Sequence, residues 1–280
     1  MTDASAVHEA RGADLRAFTT GDGTLAYRDT GAGEPVVLLH GGFLDHRMWD
    51  GQIAVLARHH RVIAPDARGH GASANATVPF RQTDDLAALL RHLDVGPAVL
   101  VGLSMGAGIA VDTALEHPDL VSDLVVVGAG TSEPEFTDPW VTALQAEWAR
   151  AAAAGDAEAF VDATMLFAAG PHRTLADVDQ DVVRRLREMT ERTVAKHSGA
   201  ESSLLVPVTG TWARAARLAV PVLAVTGELD TADNTAMAER LARSVPRGRT
   251  ASVAGTAHYP NMERPDVFNA LLWDFLTSER

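Results

Sequence analysis

Apolar residues follow two different spacings along this chain, and from residue 35 onward the two alternate. Continuous runs of about four to eight apolar residues are typical of strands buried on both faces, whereas apolar positions recurring about every three to four residues are typical of helices. The alternation predicts an α/β fold with a mostly parallel sheet and helices on both of its faces. Strands are predicted at residues 15–19, 24–29, 35–39, 61–65, 99–101, 120–127, 221–225 and 250–253, and helices at 46–58, 80–93, 105–117, 235–244 and 265–277.

The alternation breaks in the second half of the chain. No strand is predicted from 131 to 216, where alanine-rich helical stretches at 140–154, 157–168 and 179–196 are separated by proline and glycine. We therefore expect residues 1–130 and 217–280 to form the α/β core and residues 131–216 to form an inserted helical cap. Within the first segment, residues 1–14 are expected to be a loose lead-in.

The composition narrows the possible partners. The 280 residues carry a formal net charge of -13, which disfavours nucleic acid and anionic surfaces as partners. The absence of cysteine excludes disulfides, thiolate catalysis and cysteine-ligated metal sites. Because the N-terminus has no apolar signal segment and no apolar run could span a bilayer, we expect a cytoplasmic monomer or homodimer without a membrane partner.

A Gly-x-Ser-x-Gly motif joins the predicted strand at 99–101 to the helix that follows it. Its residues are Gly102, Ser104 and Gly106. So tight a turn forces its central residue into a strained left-handed conformation and needs nearly bare backbone on both sides, which the glycines supply. The hydroxyl would then stand at a helix N-terminus, where negative charge is favoured. We interpret Ser104 as a nucleophile; a glycine-rich turn that merely contains serine is the alternative.

A serine nucleophile needs a base, and the base needs an acid that holds it in one tautomer. Sites in sheets of this type form at the carboxyl ends of strands, so the partners should follow later strands. Asp230 follows the strand at 221–225 and His258 follows the strand at 250–253, in the order Ser, Asp, His that this architecture uses. Glu228 and Asp233 flank Asp230 and remain alternatives for the acid.

Two backbone amides are predicted to stabilise a developing oxyanion. One is the amide of Met105, directly after the nucleophile. The other is the amide of Gly42, in the loop after the strand at 35–39, with Phe43 as the alternative. Aromatic side chains are expected to bind the substrate, and the residues chosen for this role are Phe43, Trp140 and Trp212.

Other residues near the predicted site are expected to support its loops or to line the pocket. His40 is expected to brace its own loop, and Asp66 and Arg68 to form ion-pair and turn contacts beneath the site. Further candidates for the pocket lining are Phe136, Trp148, Met165 and Phe167. No phosphate-binding glycine motif occurs, so no nucleotide cofactor is expected, and no metal ion is expected either.

Taken together, these motifs resemble the α/β-hydrolase fold superfamily. The resemblance covers residues 15–130 and 220–280. It rests on His40-Gly41 with Trp49 downstream, Asp66-x-Arg68-Gly69-x-Gly71-x-Ser73, Gly102-x-Ser104-x-Gly106, Gly227-x-x-Asp230, and Gly255-x-x-His258 followed by Glu263-x-Pro265. The segment from Ala257 to Pro265 is similar to capped bacterial esterases and 3-oxoadipate enol-lactonases. Haloalkane dehalogenases and soluble epoxide hydrolases of this fold carry aspartate at the elbow, so Ser104 argues against both activities.

The resemblance implies a serine hydrolase that cleaves a small, fairly apolar ester or lactone through an acyl-enzyme on Ser104. Two alternatives keep the same triad: hydrolysis of a carbon–carbon bond in a ring-cleavage product, and perhydrolysis with peroxide. A third alternative is a ligand receptor or scaffold on a hydrolase fold. A complete set of triad, elbow and oxyanion loop disfavours this third hypothesis.

Overall fold

A computed structural model describes residues 15–197 and 203–278, so the predicted lead-in at 1–14 lies outside the described residues. Eight strands form one sheet in the order β1-β2-β4-β3-β5-β6-β7-β8. The pairs β1–β2 and β2–β4 are antiparallel, and all the other neighbours are parallel. The strands are β1 Leu15–Thr20, β2 Gly23–Thr30, β3 Pro35–Leu39, β4 Arg61–Pro65, β5 Ala98–Leu103, β6 Val121–Val127, β7 Val222–Gly227 and β8 Gly248–Val253. The predicted α/β class with a mostly parallel sheet is confirmed.

Ten α-helices accompany the sheet in the part of the chain that the structure describes. They are α1 Asp50–Leu56, α2 Gln82–His92, α3 Met105–Glu116, α4 Pro139–Ala154, α5 Ala157–Ala169, α6 Gln180–Val194, α7 Thr211–Ala215, α8 Ala232–Ser244, α9 Pro260–Glu263 and α10 Pro265–Thr277. None of the described helices is long and apolar enough to cross a membrane. The short helices α7 and α9 were not predicted, because four or five residues are too few for a helical repeat to show.

Two helix predictions need correction. Residues 46–58 do not form one α-helix: a 3₁₀ turn at His46–Trp49 comes first, and α1 ends at Leu56. The Asp45 side chain accepts a hydrogen bond from the Arg47 amide and so fixes the start of that turn. The helix predicted at 235–244 begins earlier, at Ala232, because the Thr231 side chain caps it by accepting from the Asn234 amide.

Both faces of the sheet are buried, which explains the continuous apolar runs of its central strands. All six residues of β5 are buried. One apolar cluster covers the face on which α1 and α10 lie, with Trp49 and Phe268 fully buried in it. The other cluster joins the opposite face to α2, α3 and α8. Burial of this kind contributes about 1.5–3 kcal/mol for each large side chain, so the sheet is a rigid support for its loops.

The segment between β6 and β7 contains helices α4 to α7 and, within its described residues, no strand beyond an isolated bridge between Phe80 and Leu205. We refer to residues 131–216 as the cap segment. Polar contacts tie it to the rest of the chain at both ends. Asp233 accepts hydrogen bonds of 2.7 Å from the amides of Thr137 and Asp138 just before α4. After α6, the Lys196 ammonium donates to three carbonyls of the loop that follows β4.

Candidate active site

Ser104 lies on a strained turn between β5 and α3, as the glycine motif predicts. Its backbone angles are φ 53° and ψ -112°. A methyl group on Gly102 would lie 2.1 Å from the Gly106 carbonyl oxygen, and one on Gly106 would lie 2.1 Å from the Leu39 carbonyl oxygen. Both glycines are therefore required for β3, β5 and α3 to approach each other. Strain of about 1–3 kcal/mol at such a residue persists only where the surrounding packing enforces it.

His258 and Asp230 form a buried pair at the ends of their loops. The Nδ1 atom of His258 lies 2.9 Å from Oδ2 of Asp230. A carboxylate can only accept a hydrogen bond, so Nδ1 carries the proton and the other ring nitrogen, Nε2, is left unprotonated in the neutral imidazole. Ser104 and His258 both line one cavity. Within the described residues no hydrogen bond joins the serine hydroxyl to the ring, a separation common in ligand-free sites.

The two carboxylates that competed with Asp230 are engaged elsewhere. Glu228 accepts a hydrogen bond of 2.8 Å from the Gly255 amide, and Asp233 binds the amides at the entrance to the cap segment. Only Asp230, among these three acids, hydrogen bonds to the ring of His258. The geometry thus brings together the acid and the histidine that the sequence analysis chose.

The two predicted oxyanion donors lie side by side next to Ser104. An added Cβ on Gly42 would lie 3.9 Å from the Cβ of Met105, and both residues line the cavity of Ser104. Met105 is the first residue of α3, where a backbone amide has no partner within the helix. Phe43, the alternative to Gly42, adopts a left-handed backbone (φ 62°) that turns the chain at this point.

The cavity has a volume of about 330 Å³. This volume lies at the small end of the range for ligand pockets, about 300–1,000 Å³. Its lining contains no Asp, Glu, Lys or Arg side chain among the described residues. Besides Ser104 and His258, the polar groups that line it are neutral hydroxyls and carboxamides, and they belong to Gln82, Thr131, Ser132, Gln145, Thr164, Asn234 and Tyr259.

The predicted substrate-binding residues divide into two groups. Phe43 lines the cavity, as do Phe136, Trp148 and Phe167. Trp140 lies outside the lining, with its ring packed edge-on against Phe167 at 5.6 Å between centroids.

Trp212 and Met165 also lie outside the lining. The ring of Trp212 packs against Gly130 and under the Arg240 guanidinium, and its Nε1 donates to the Glu133 carbonyl. Met165 is 2% exposed and belongs to the apolar core. A helical repeat indicates that such residues are buried but not what they face, and the structure places Trp140, Trp212 and Met165 outside the lining of this cavity.

The sequence analysis missed two residues that hold the acid and the histidine. The Nδ2 group of Asn234 donates a hydrogen bond of 2.9 Å to Oδ1 of Asp230. Gly128, after β6, packs so closely that a Cβ there would lie 2.9 Å from Nδ1 of His258. Neither residue could be predicted from a local pattern, because Asp230 precedes the Thr231 cap of α8 while Asn234 lies inside the helix.

The loops beneath the site contain a network of buried polar groups. His40 braces its loop as predicted, with Nε2 accepting from the Ala67 amide at 2.9 Å, and burial lowers the pKa of its ring. Arg68 forms the expected ion pair, with both oxygens of Asp85 at 2.7 Å. Burial alone would raise the pKa of Asp66, but the hydrogen bond and charge of His46 lower that pKa to about 2.

Three buried residues in this network have donor atoms close enough to hold a metal ion, namely Asp45, His46 and Asp66. Each of these donor groups already has a partner. Asp45 pairs with the Arg47 guanidinium at 2.7 Å, and Asp66 bonds to Nδ1 of His46 at 2.7 Å. The cluster therefore supports the loops through its own ion pairs.

A further buried carboxyl group lies on α3, two turns beyond Ser104. Asp112 is 5% exposed, and its Oδ1 atom has no hydrogen-bond partner among the described residues. Burial raises the pKa of Asp112 to about 6, against the opposing effect of the Ser132 hydroxyl nearby. Ser132 also lines the cavity, so this carboxyl group lies just outside the site.

Comparison with known proteins gives similarities over nearly the whole chain. The sequence model of the α/β-hydrolase fold family matches residues 34–265. BpoC of Mycobacterium tuberculosis, which bears the name of a non-heme bromoperoxidase, is 30% identical over 262 residues, or 91% of this chain and 98% of the relative.

Two solved structures show the same architecture. The enol-lactonase from Burkholderia xenovorans superposes with a TM-score of 0.77 at 25% identity, over 94% of this chain and 100% of the other. An esterase from Thermogutta terrifontis superposes with a TM-score of 0.74 at 26% identity, over 94% and 97%. These relatives share the fold of this chain, while their names state different reactions.

Proposed function

Because the chain belongs to the α/β-hydrolase fold family, we propose that it is a serine hydrolase that cleaves a small, fairly apolar carboxylic ester or lactone through an acyl-enzyme on Ser104. The observation that carries the proposal is the contact of 2.9 Å between Nδ1 of His258 and Asp230, in the cavity that Ser104 lines. This contact leaves Nε2 as the one ring nitrogen able to take a proton. The strained serine turn presents the hydroxyl to the same space.

In the first half of the reaction, the Ser104 oxygen attacks the substrate carbonyl carbon while Nε2 of His258 takes the hydroxyl proton. Asp230 holds the ring and stabilises its positive charge. The oxyanion of the tetrahedral intermediate accepts hydrogen bonds from the amides of Gly42 and Met105, each worth about 10²–10³ in rate. The intermediate collapses when the carbon–oxygen bond to the alcohol breaks, and His258 returns the proton to that alcohol.

In the second half, water attacks the acyl-enzyme. His258 takes one proton from the water, the same two amides hold the second oxyanion, and the bond to the Ser104 oxygen breaks. The carboxylic acid leaves, and the serine regains its proton from the ring. A lactone follows the same steps, with the alcohol and the acid remaining in one molecule.

The lining of the cavity supports an uncharged substrate. A carboxylate on the substrate would have to leave water for a cavity without a lysine or arginine side chain, and an unpaired buried charge is costly. The alternative of carbon–carbon bond hydrolysis is disfavoured on this ground, because the ring-cleavage products in question carry carboxylates. Perhydrolysis stays the second candidate: hydrogen peroxide would replace water in the second half, and the similarity to BpoC favours testing it.

Labelling with a fluorophosphonate tests the nucleophile. We expect the reagent to modify Ser104, and we expect Ser104→Ala to lose both labelling and turnover of 4-nitrophenyl butyrate. The matched control is Ser252→Ala, since Ser252 is an exposed serine on β8, and this variant should keep both activities. A wild-type protein that resists labelling and cleaves no ester would support the receptor or scaffold hypothesis instead.

A pair of substrates tests the charge preference. 4-Nitrophenyl butyrate and mono-4-nitrophenyl succinate are of similar length and release the same alcohol, but only the second carries a carboxylate. We expect kcat/KM to be at least about tenfold higher for the neutral ester, since each factor of ten corresponds to about 1.4 kcal/mol. Equal values would contradict the inference from the lining, and peracid formation on adding peroxide would identify a perhydrolase.

A further inference from the structure

Asn234 takes no part in the mechanism above, yet it contacts both the acid and the base. We propose that Asn234 is a positioning residue that fixes the Asp230 carboxylate and sets the basicity of His258. The proposal rests on the proposed function, because it assigns Asn234 a role in that same site.

The Asp230 carboxylate is held at both of its oxygens. Oδ1 accepts from the Thr231 amide at 2.7 Å and from Nδ2 of Asn234 at 2.9 Å. Oδ2 lies 2.9 Å from Nδ1 of His258. Asp230, Asn234 and His258 are each no more than 6% exposed, so water does not compete for these bonds. Asn234 therefore supplies one of three donors to a carboxylate shielded from solvent.

The orientation of the Asn234 amide follows from this arrangement. If the group were rotated, its oxygen would face the carboxylate oxygen at 2.9 Å, which is repulsive while Asp230 is ionised. The NH₂ group must point toward Asp230. The same nitrogen lies 3.2 Å from Nδ1 of His258. Since Nδ1 donates its own proton to Asp230, Asn234 places the positive end of its amide dipole beside the ring.

Two effects on the reaction follow. First, a carboxylate fixed at Oδ1 cannot rotate, so Oδ2 stays aimed at the imidazole. Second, donation from Asn234 weakens the pull of Asp230 on the ring proton, and the amide dipole disfavours positive charge on the ring. Both effects bear on how readily Nε2 of His258 takes the Ser104 proton.

Few other charged groups bear on His258. The titratable groups that contact its ring are Asp230 and Tyr259, whose ring centroid lies 5.2 Å away. Burial raises the pKa of Tyr259, so its hydroxyl stays neutral over the working range. On the cavity side the ring meets Phe167 at 5.1 Å, which carries no charge. Replacing the amide at position 234 should therefore act on His258 with little competition from other charged groups, and the pH profile of labelling reports the effect.

Two variants separate orientation from electrostatics. Asn234→Leu has a similar size but donates no hydrogen bond, while Asn234→Asp keeps the shape and replaces the amide dipole by a carboxyl group that competes with Asp230 for a proton. The control is Asn269→Leu, since Asn269 lies on α10, where its side chain bonds to Gln52. The readouts are the rate of fluorophosphonate labelling of Ser104 from pH 5 to 9 and the low-field NMR signal of the Nδ1 proton of His258. Circular dichroism verifies that each variant is folded.

We expect Asn234→Leu to slow labelling at pH 8 by at least about tenfold, because small misplacements of catalytic groups have effects of this size or larger. We expect Asn234→Asp to move the acidic limb of the profile up by about one pH unit or more. The Nδ1 proton signal should broaden or shift in both variants and remain unchanged in Asn269→Leu.

The outcomes separate this inference from the proposed function. If the folded variants label at the wild-type rate with the wild-type profile, Asn234 is not a positioning residue although the serine hydrolase assignment stands. If the wild-type protein is not labelled, the proposed function fails. In that case, loss of the Nδ1 signal in Asn234→Leu would still support the structural half of the inference, and its persistence would overturn it.

Discussion

Asp112 gives the most quantitative prediction, since it is a buried acid whose pKa is raised from 3.8 to about 6. The folded protein holds the Asp112 proton at pH values where the unfolded chain has released it. The native state therefore binds more protons between pH 4 and 6, and the free energy of unfolding falls as the pH rises through this range. Two pKa units at about 1.4 kcal/mol each give a loss of roughly 3 kcal/mol, complete by about pH 7.

The substitution Asp112→Asn removes this loss because an amide does not titrate. Asparagine has almost the same shape, so the packing around position 112 is preserved. Any fixed cost of the amide adds equally at every pH. The quantity to measure is therefore how the difference in the free energy of unfolding between Asp112→Asn and the wild type varies with pH. We expect that difference to move by roughly 3 kcal/mol in favour of Asp112→Asn between pH 4 and pH 8.

Urea unfolding followed by circular dichroism at several pH values measures this difference. Asp266→Asn is the matched control, because the Asp266 side chain is 75% exposed and its replacement should change stability by no more than about 0.5 kcal/mol at any pH. A difference between Asp112→Asn and wild type that stays constant within about 1 kcal/mol from pH 4 to 8 would refute the reasoning. Asp112 would then be ionised and solvated in the folded protein.

Two further substitutions test the loops that support the site. Gly106→Ala should lower the free energy of unfolding by at least about 1–3 kcal/mol and abolish labelling of Ser104, because the new methyl group would lie 2.1 Å from the Leu39 carbonyl oxygen. Gly21→Ala is the control: a methyl group there has no neighbouring atom within 4 Å, so stability and labelling should not change. Asp66→Asn should cost about 3–5 kcal/mol at pH 7 by breaking the buried pair with His46. This cost should shrink as the pH falls from about 4 toward 2, because Asp66 of the wild type also becomes protonated near its lowered pKa. A loss of unfolding free energy that does not depend on pH in urea titrations would contradict the ion pair between Asp66 and His46.

The sheet was predictable because its central strands are buried on both faces. The strands at 35–39 and 61–65 have the predicted limits, since a continuous apolar run of this length between turn residues is typical of a strand buried on both faces. The elbow could be predicted for steric reasons, as Gly102 and Gly106 stand where any side chain would overlap backbone. Asp230 was predicted because it follows a strand at the edge where Ser104 and His258 also lie, but Glu228 and Asp233 follow the same strand, and only the hydrogen bond to His258 separates Asp230 from them.

Residues that depend on contacts between distant segments could not be predicted. Trp212 looked like a pocket residue, but Gly130 and Arg240, which lie about 80 and about 30 residues away in sequence, enclose its ring. The neutral lining of the cavity depends on side chains from β-strand loops, α2, α4, α5 and α8 together. A local sequence pattern does not show which distant side chains line the same cavity. The neutral lining could therefore be recognised only from the structure.

The turn after β7 serves two structures at once. Asp230 hydrogen bonds to His258. Asp233, three residues further on, accepts hydrogen bonds from the amides of Thr137 and Asp138, near the start of the cap segment. An outward movement of α4 would displace the turn that also holds Asp230. Because Asp233 and Asp230 belong to one turn, we expect that replacing the cap segment by one without the two amide partners of Asp233 would also disturb the contact between Asp230 and His258.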